Sequence, residues 1–227
     1  MVWTPVPQGA KAFPLATRLG ITLKLQKRLQ MAVIIGPAAY MPKSLPCPEL
    51  SKEGLCGIHS IKPNRCRTMP FYPYLEESEQ GALLVPRKGW ECDTSAAAPT
   101  VYREGKIVDA GDFIRERKEL LDHAPLMRKY GDYMLQHSPW ILDNLKAVAG
   151  RPDGQIVTSL SSFLTAIKHL DATNIAAQQL PVLNTFAELT ATMPEVAAYN
   201  RNYAGWAREM WYLLKLSGAQ CEPGSAQ

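Results

Sequence analysis

The 227-residue sequence has no apolar run approaching the roughly 20 residues that a membrane-crossing helix needs; its longest candidate, Met31 to Tyr40, is broken at Gly36-Pro37. No charged-then-apolar pattern opens MVWTPVPQGAKAFP, which argues against a secretory leader and for the cytoplasm. There is no G-x-G-x-x-G, no P-loop and no G-x-S-x-G, so dinucleotide binding, phosphate cradling and a nucleophile elbow have no motif to rest on. One-sided charge is also missing: 25 basic against 21 acidic residues leave +4. Lys11, Arg18, Lys24, Lys27 and Arg28 recur near the start, but without a recognisable nucleic-acid module they read as solvated surface. No nucleic-acid or membrane partner is expected. His59, His123, His137 and His169 include no i, i+4 pair of the metalloprotease kind, and the last three read as structural. Composition is otherwise that of an ordinary globular chain, 46% hydrophobic and 20% charged, with disorder expected only at the ends.

What the sequence does have is a thiol-bearing, proline-rich stretch. Nine of its eighteen prolines fall between Gly36 and Pro99, as do Cys47, Cys56, Cys66 and Cys92. Proline fixes φ and removes a backbone donor, so this region is not long regular structure. Metal–thiolate bonds are a pin that such a segment can use, because their free energy becomes folding free energy. Reduced cytoplasmic thiols in a cluster point to metal rather than to disulfides. Cys221, in the tail CEPGSAQ, reads as a bystander.

The spacing Cys47-x8-Cys56-x9-Cys66-x25-Cys92 contains no close C-x2-C pair. Spacing alone leaves two readings level: four thiolates on one metal site, or four buried cysteines acting as small hydrophobes. Turn chemistry surrounds the thiols, with Pro46 and Pro48 about Cys47, Gly54 and Gly57 about Cys56, and Pro63 ahead of Cys66. Arg65 and Arg67 flank Cys66, where cations favour the thiolate form. His59 is a candidate alternative ligand or outer-shell group, or a packing residue.

Cys47, Pro48, Leu50, Gly54, Cys56, Ile58, Pro63, Cys66, Arg67 and Pro70 form a pattern that resembles the second half of the signature of the YkgJ-type cysteine-cluster family. These are proteins of the C-x-x-C-x-x-C-C type described as zinc- or iron-chelating, and flagellin lysine methylase is a distant member. The match covers about 25 residues well and perhaps 60 loosely, ending near Cys92, and says nothing of the C-terminal half. His59, Lys62 and Met69 stand where the family commonly has tyrosine, arginine and phenylalanine. The family usually opens with a closely spaced cysteine group, whereas this chain has no cysteine before Cys47. The resemblance therefore implies one four-cysteine site, with an iron–sulfur cluster preferred and zinc as the alternative.

The expected fold is mainly α, with at most a few short strands. Residues 1–36 read as a lead-in with one helix over 20–34, although Ile21, Leu23 and Leu25 alternate like a strand. Residues 37–108 form the loop-dominated cysteine module, with short strands at Gly81–Val85 and Thr100–Val108. Residues 109–218 form a six-helix bundle, and 219–227 a flexible tail. The helices start after Asp109 (with Phe113, Ile114, Arg117, Leu120 and Leu121), at Pro125, at Ser138-Pro139 (ending at Gly150), near Asp153, at Pro181, and at a Thr192–Glu195 capping box. The last carries a stripe of Val196, Tyr199, Tyr203, Trp206, Met210 and Leu213, which reads as core before pocket.

Three functions fit. The first is a cytosolic metal-binding protein whose helical half docks a protein partner or peptide substrate. The second is an iron-dependent enzyme modifying a protein or peptide. The third is a zinc-pinned structural interaction module. The first is preferred; the sequence does not decide whether the chain is an enzyme.

Overall fold

The N-terminal residues build a sheet. In the computed structural model, which describes residues 1–26, 28–86, 93–151, 153–216 and 218, strands β1 (Val2–Pro7), β2 (Ile21–Gln26) and β3 (Leu29–Gly36) lie with a short β6 (Ile156–Val157) in the order β2-β3-β1-β6. All pairings are antiparallel, with Trp3 opposite Ile35 and Ile21 opposite Val33. About 52% of the chain is helical and 13% strand, so the fold is mixed α/β rather than mainly α. The helix expected over 20–34 is instead the β2–β3 hairpin.

The reason lies in which faces are buried. Met31, Val33 and Ile35 point to one side of β3, and Ala32 and Ile34 to the other; all five are buried. A strand covered on both faces reads as a continuous apolar run and loses the alternation that marks a half-exposed strand. Prolines are tolerated in β1 for a geometric reason. The Thr158 amide donates to the Met1 carbonyl at 2.9 Å, so odd residues of β1 aim their backbone groups toward β6. Pro5 and Pro7 share that parity and lie beyond the end of β6, where no donor is required.

Helix α1 (Phe13–Leu19) covers the even face of the sheet through Ala16. It ends at Gly20, where a Cβ would stand 1.9 Å from the Val33 carbonyl oxygen, so only glycine lets the chain pass this close to β3. After the cysteine segment come a short helix α2 (Asn64–Thr68) and a hairpin of β4 (Tyr102–Arg103) and β5 (Lys106–Ile107). Glu104 and Gly105 turn that hairpin at φ 49° and 79°. The strand expected at Gly81–Val85 is absent; a 3-10 helix runs over Glu77–Leu84.

Helix α3 (Gly111–His137) is a single 27-residue rod with Pro125 inside, not two helices. Pro125 sits on the exposed side, where helix hydrogen bonds lengthen and the loss of one is tolerated. Ala124 beside it is buried, and Met127, Tyr130 and Met134 hold the helix on the odd face of the sheet. Gly131 makes that contact close: a Cβ there would lie 2.9 Å from both Ile21 and Ile35. Helix α4 (Trp140–Val148) and helix α5 (Leu160–Ala166) complete this layer with Ile141, Leu145 and Phe163. The apolar set expected on a helix from Asp153 divides here, Ile156 pairing with Trp3 in the sheet and only Leu160 onward being helical. A buried polar network ties the layers together. The Trp3 indole donates to the Thr158 hydroxyl at 3.1 Å, and the Tyr130 hydroxyl meets Thr158 at 2.8 Å and Ser162 at 2.6 Å.

Helix α6 (Ala172–Thr190), which runs unbroken through Pro181, pairs with helix α7 (Ala197–Leu216) as a hairpin. This hairpin meets α5 through Leu164, Ala176, Met210 and Leu214. No side-chain capping bond forms at the start of the 3-10 turn Pro194–Val196, where the capping box was expected. Among the described residues no helix is long and apolar enough to cross a membrane. The expected tail over 219–227, with Cys221, lies outside the described residues.

Candidate functional site

The thiol-bearing segment begins where β3 ends, and its first anchor is Tyr40. This ring stacks on Tyr199 with centroids 4.5 Å apart and meets Trp206 edge-on at 4.9 Å. Its hydroxyl accepts from the Asn202 amide at 2.7 Å, and its carbonyl accepts from the Tyr203 hydroxyl at 2.6 Å. The α7 stripe thus divides. Val196, Tyr203 and Met210 are buried, while half-buried Tyr199 and Trp206 grip the strap that leads to the cysteines. Burial pushes the Tyr203 hydroxyl up to about 12, with neighbouring Tyr40 and Tyr199 acting the same way.

Cys47 and Cys56 lie on one small loop. The Leu50 amide donates to the Cys47 carbonyl at 3.0 Å, and the Gly57 amide to the Glu49 carbonyl at 2.7 Å. Leu50 forms an isolated antiparallel bridge with Cys56. Gly54, at φ 77°, supplies the left-handed residue that closes the turn. Cys47 is exposed, Cys56 is half-buried, and both are free thiols.

His59, exposed, opens a 3-10 turn over His59–Ile61. Pro63 follows and its carbonyl accepts the Cys66 amide at 2.9 Å, starting α2, on which Cys66 is free and exposed. Arg67 donates to the Ser60 carbonyl at 2.9 Å and the Lys62 carbonyl at 3.0 Å, so its guanidinium braces the turn. Arg65 points the other way, to the Phe71 carbonyl, to Glu116 on α3 at 3.5 Å, and over the Tyr72 ring at 5.7 Å. The described partners of both arginines are thus backbone carbonyls, a carboxylate and a ring, not thiols.

The first three turns of α3 carry the remainder of the segment. Asn64 donates to Glu119, and Arg117 donates to the carbonyls of Pro73 and Leu75. Gln80, fully buried, closes the 72–76 turn with four bonds. Its oxygen accepts from the Tyr72 amide at 2.8 Å, and its nitrogen donates to the carbonyls of Tyr72, Leu75 and Glu76 at 2.9, 3.0 and 3.2 Å. Tyr74 packs against the even face of the sheet, and burial pushes its hydroxyl up to about 12, with Tyr72 and Glu116 adding to the shift and Arg65 opposing it. A cleft of about 360 Å³ opens between the end of α2 and the start of α3, lined by Thr68, Met69, Phe71, Asp112, Phe113 and Arg115.

Thiolates are the right donors for zinc or an iron–sulfur cluster, and three free ones lie on this segment. Among the described residues, however, no three His, Cys, Asp or Glu side chains are gathered closely enough to hold a metal ion. Cys92, the fourth expected ligand, lies outside the described residues. Donor chemistry therefore fits, while the described thiols are not assembled. Glu116, Arg117 and Gln80 were not singled out as site residues. Glu116 carried a signal, a carboxylate one turn after Phe113 on the buried side of α3. Gln80 carried none, because its role depends on a turn that its own neighbours do not announce.

No family model, curated protein or solved structure matches the chain.

Proposed function

We propose that the chain is a cytoplasmic metal-binding protein in which Cys47, Cys56, Cys66 and Cys92 hold an iron–sulfur cluster, or alternatively a zinc ion. The helical half serves as the body on which a protein partner or peptide substrate docks. One observation carries the reading. Three free thiols sit on a single segment whose frame is held by Tyr40, Arg67, Arg117 and Gln80, so none of the thiols is needed to hold it. The resemblance to the YkgJ-type cysteine-cluster proteins supports the same donors.

Bound metal would supply either one-electron chemistry, as a cluster, or a structural crosslink, as zinc. The chain's own contribution is to present thiols. Cys66 is presented from a braced helix. Cys47 and Cys56 are presented from a loop whose described hydrogen bonds run within it rather than to the body, so ligation is coupled to the docking of that loop.

The test is metal and sulfide content, with the absorption spectrum, of protein purified without oxygen, beside a Cys56→Ser variant. Iron, sulfide and a broad thiolate-to-iron absorption that the variant loses are expected. About one zinc per chain without colour selects the closed structural site. A folded protein that carries neither metal, and takes up neither when offered, overturns the proposal.

A further inference from the structure

Two buried side-chain polar atoms among the described residues have no hydrogen bond, Arg65 Nη1 and Glu116 Oε2, and they face each other at 3.5 Å. They are paired by charge alone, and a buried ion pair without a hydrogen bond asks for a reason. Glu116 has 8% of its side chain exposed and stands on the α3 face that carries the thiol segment, between Phe113 and Glu119. Arg65 immediately precedes Cys66 on α2. Its guanidinium is already aimed, since the Phe71 carbonyl holds Nη2 and the Tyr72 ring lies beneath it. A buried carboxylate opposite an aimed cation resists any displacement of α2, because separating the two leaves a charge uncompensated away from water.

We propose that Glu116 is a positioning residue for the thiol site: through Arg65 it sets where α2 lies and so where Cys66 presents its sulfur. This rests on the reading of the thiols as metal ligands. The other links from α3 serve different parts of the segment. Asn64–Glu119 holds the start of α2, the Thr68 hydroxyl reaches the Asp112 carbonyl at 3.5 Å from its end, and Arg117 holds the carbonyls of Pro73 and Leu75. Among the described residues, the Arg65–Glu116 ion pair is the side-chain link from α3 to the residue that immediately precedes Cys66.

The test compares the full chain with Glu116→Gln, Arg65→Met and the charge-exchanged double variant Arg65→Glu/Glu116→Arg. In metal-free protein, amide exchange over residues 64–76 should quicken by about tenfold or more in either single variant, while residues 31–35 of β3 stay protected. Affinity for cobalt(II), read from its thiolate absorption and by competition with zinc(II), should fall by about 10- to 100-fold in the single variants and recover in the double. Unchanged exchange over 64–76 overturns the proposal. So does loosened exchange with cobalt affinity within about threefold of the parent, which would make the pair a structural joint only. A parent protein that takes up no metal fails the functional reading and this one with it. A parent whose metal uptake depends on Cys56 but ignores Glu116 fails this one alone.

Discussion

Replacing Gln80 with leucine keeps the side chain's bulk and removes one acceptor and two donors from a fully buried position. The cost follows from what each former partner has left. The Tyr72 carbonyl keeps the Leu75 amide at 3.0 Å, the Glu76 carbonyl keeps the Glu79 amide at 3.0 Å, and the Leu75 carbonyl keeps Arg117. The Tyr72 amide loses its described acceptor in a partly buried turn, which costs about 1–3 kcal/mol. Weakened satisfaction at the three carbonyls adds about 1 kcal/mol, giving a loss of about 2–4 kcal/mol. In a protein of this size that lowers Tm by roughly 4–16 °C. Gln80→Glu supplies a sharper control. One carboxylate oxygen still accepts from the Tyr72 amide, but the other is forced against three carbonyl oxygens. The folded state then favours the neutral acid, raising the folded pKa above the unfolded value of about 4.3. The deficit is therefore full at pH values above the raised folded pKa and shrinks as pH falls through it. Urea denaturation at neutral and mildly acidic pH, with amide exchange over residues 71–76, reads both effects. Gln80→Leu within about 0.5 kcal/mol of the parent, or Gln80→Glu without recovery on acidification, refutes the staple.

Two further outcomes are expected. Gly20→Ala places a methyl against the backbone oxygen of Val33, which cannot rotate away, and should cost about 3 kcal/mol or more; Gly131→Ala meets only side-chain atoms of Ile21 and Ile35 and gains helix propensity of about 1 kcal/mol, so it should cost clearly less. Denaturant midpoints of the two variants decide this, and equal losses would contradict the geometry. At high pH, Tyr74 and Tyr203 should ionise late, since burial raises both from 10.0 to about 12. Their contribution to stability is complete below the unfolded value and is lost as pH rises from 10.0 toward about 12, so a tyrosinate absorbance titration should show a late component that merges with the rest in denaturant. A native titration with one midpoint at the unfolded value would show these hydroxyls to be solvated.

Legibility of the sequence varied with how local the deciding physics was. The strand expected at Thr100–Val108 became the β4–β5 hairpin, because its good strand formers flank a Glu104-Gly105 turn, and Glu77 holds the pair from outside through the Tyr102 hydroxyl and the Ile107 amide. The strands β2 and β3 were missed, because both periods are present in Ile21–Ile35 and only the covering of both sheet faces decides between them. Pro125 and Pro181 read as helix starts, yet each lies on the exposed side of an unbroken helix, and no single-residue rule reports which side a proline will face. At the candidate site, placement of Cys47, Cys56 and Cys66 on one segment was legible, since turn chemistry and proline content are local. The groups that hold that segment, Glu116, Arg117 and Gln80, were not, since each acts on backbone or side chains brought near only by docking on α3.

The unbroken course of α3 gives that docking its consequence. Its C-terminal half is fixed to the sheet by Met127, Tyr130 and Met134, and its N-terminal half holds Asn64, Arg65 and the 73–75 carbonyls. A helix interrupted at Pro125 would have uncoupled the two halves; a continuous one extends the rigidity of the sheet to α2. In the proposed site the ligands are then unequal. Cys66 stands on the braced side and sets the reference position, whereas Cys47 and Cys56 stand on a loop pinned at Tyr40 and at the Arg67 turn, whose described hydrogen bonds between those pins run within the loop itself. Closing that loop costs conformational entropy that ligation must offset. Changes in the loop's turn residues, Gly54 above all, are therefore expected to act on metal affinity, and changes on α3 on the geometry of the bound site.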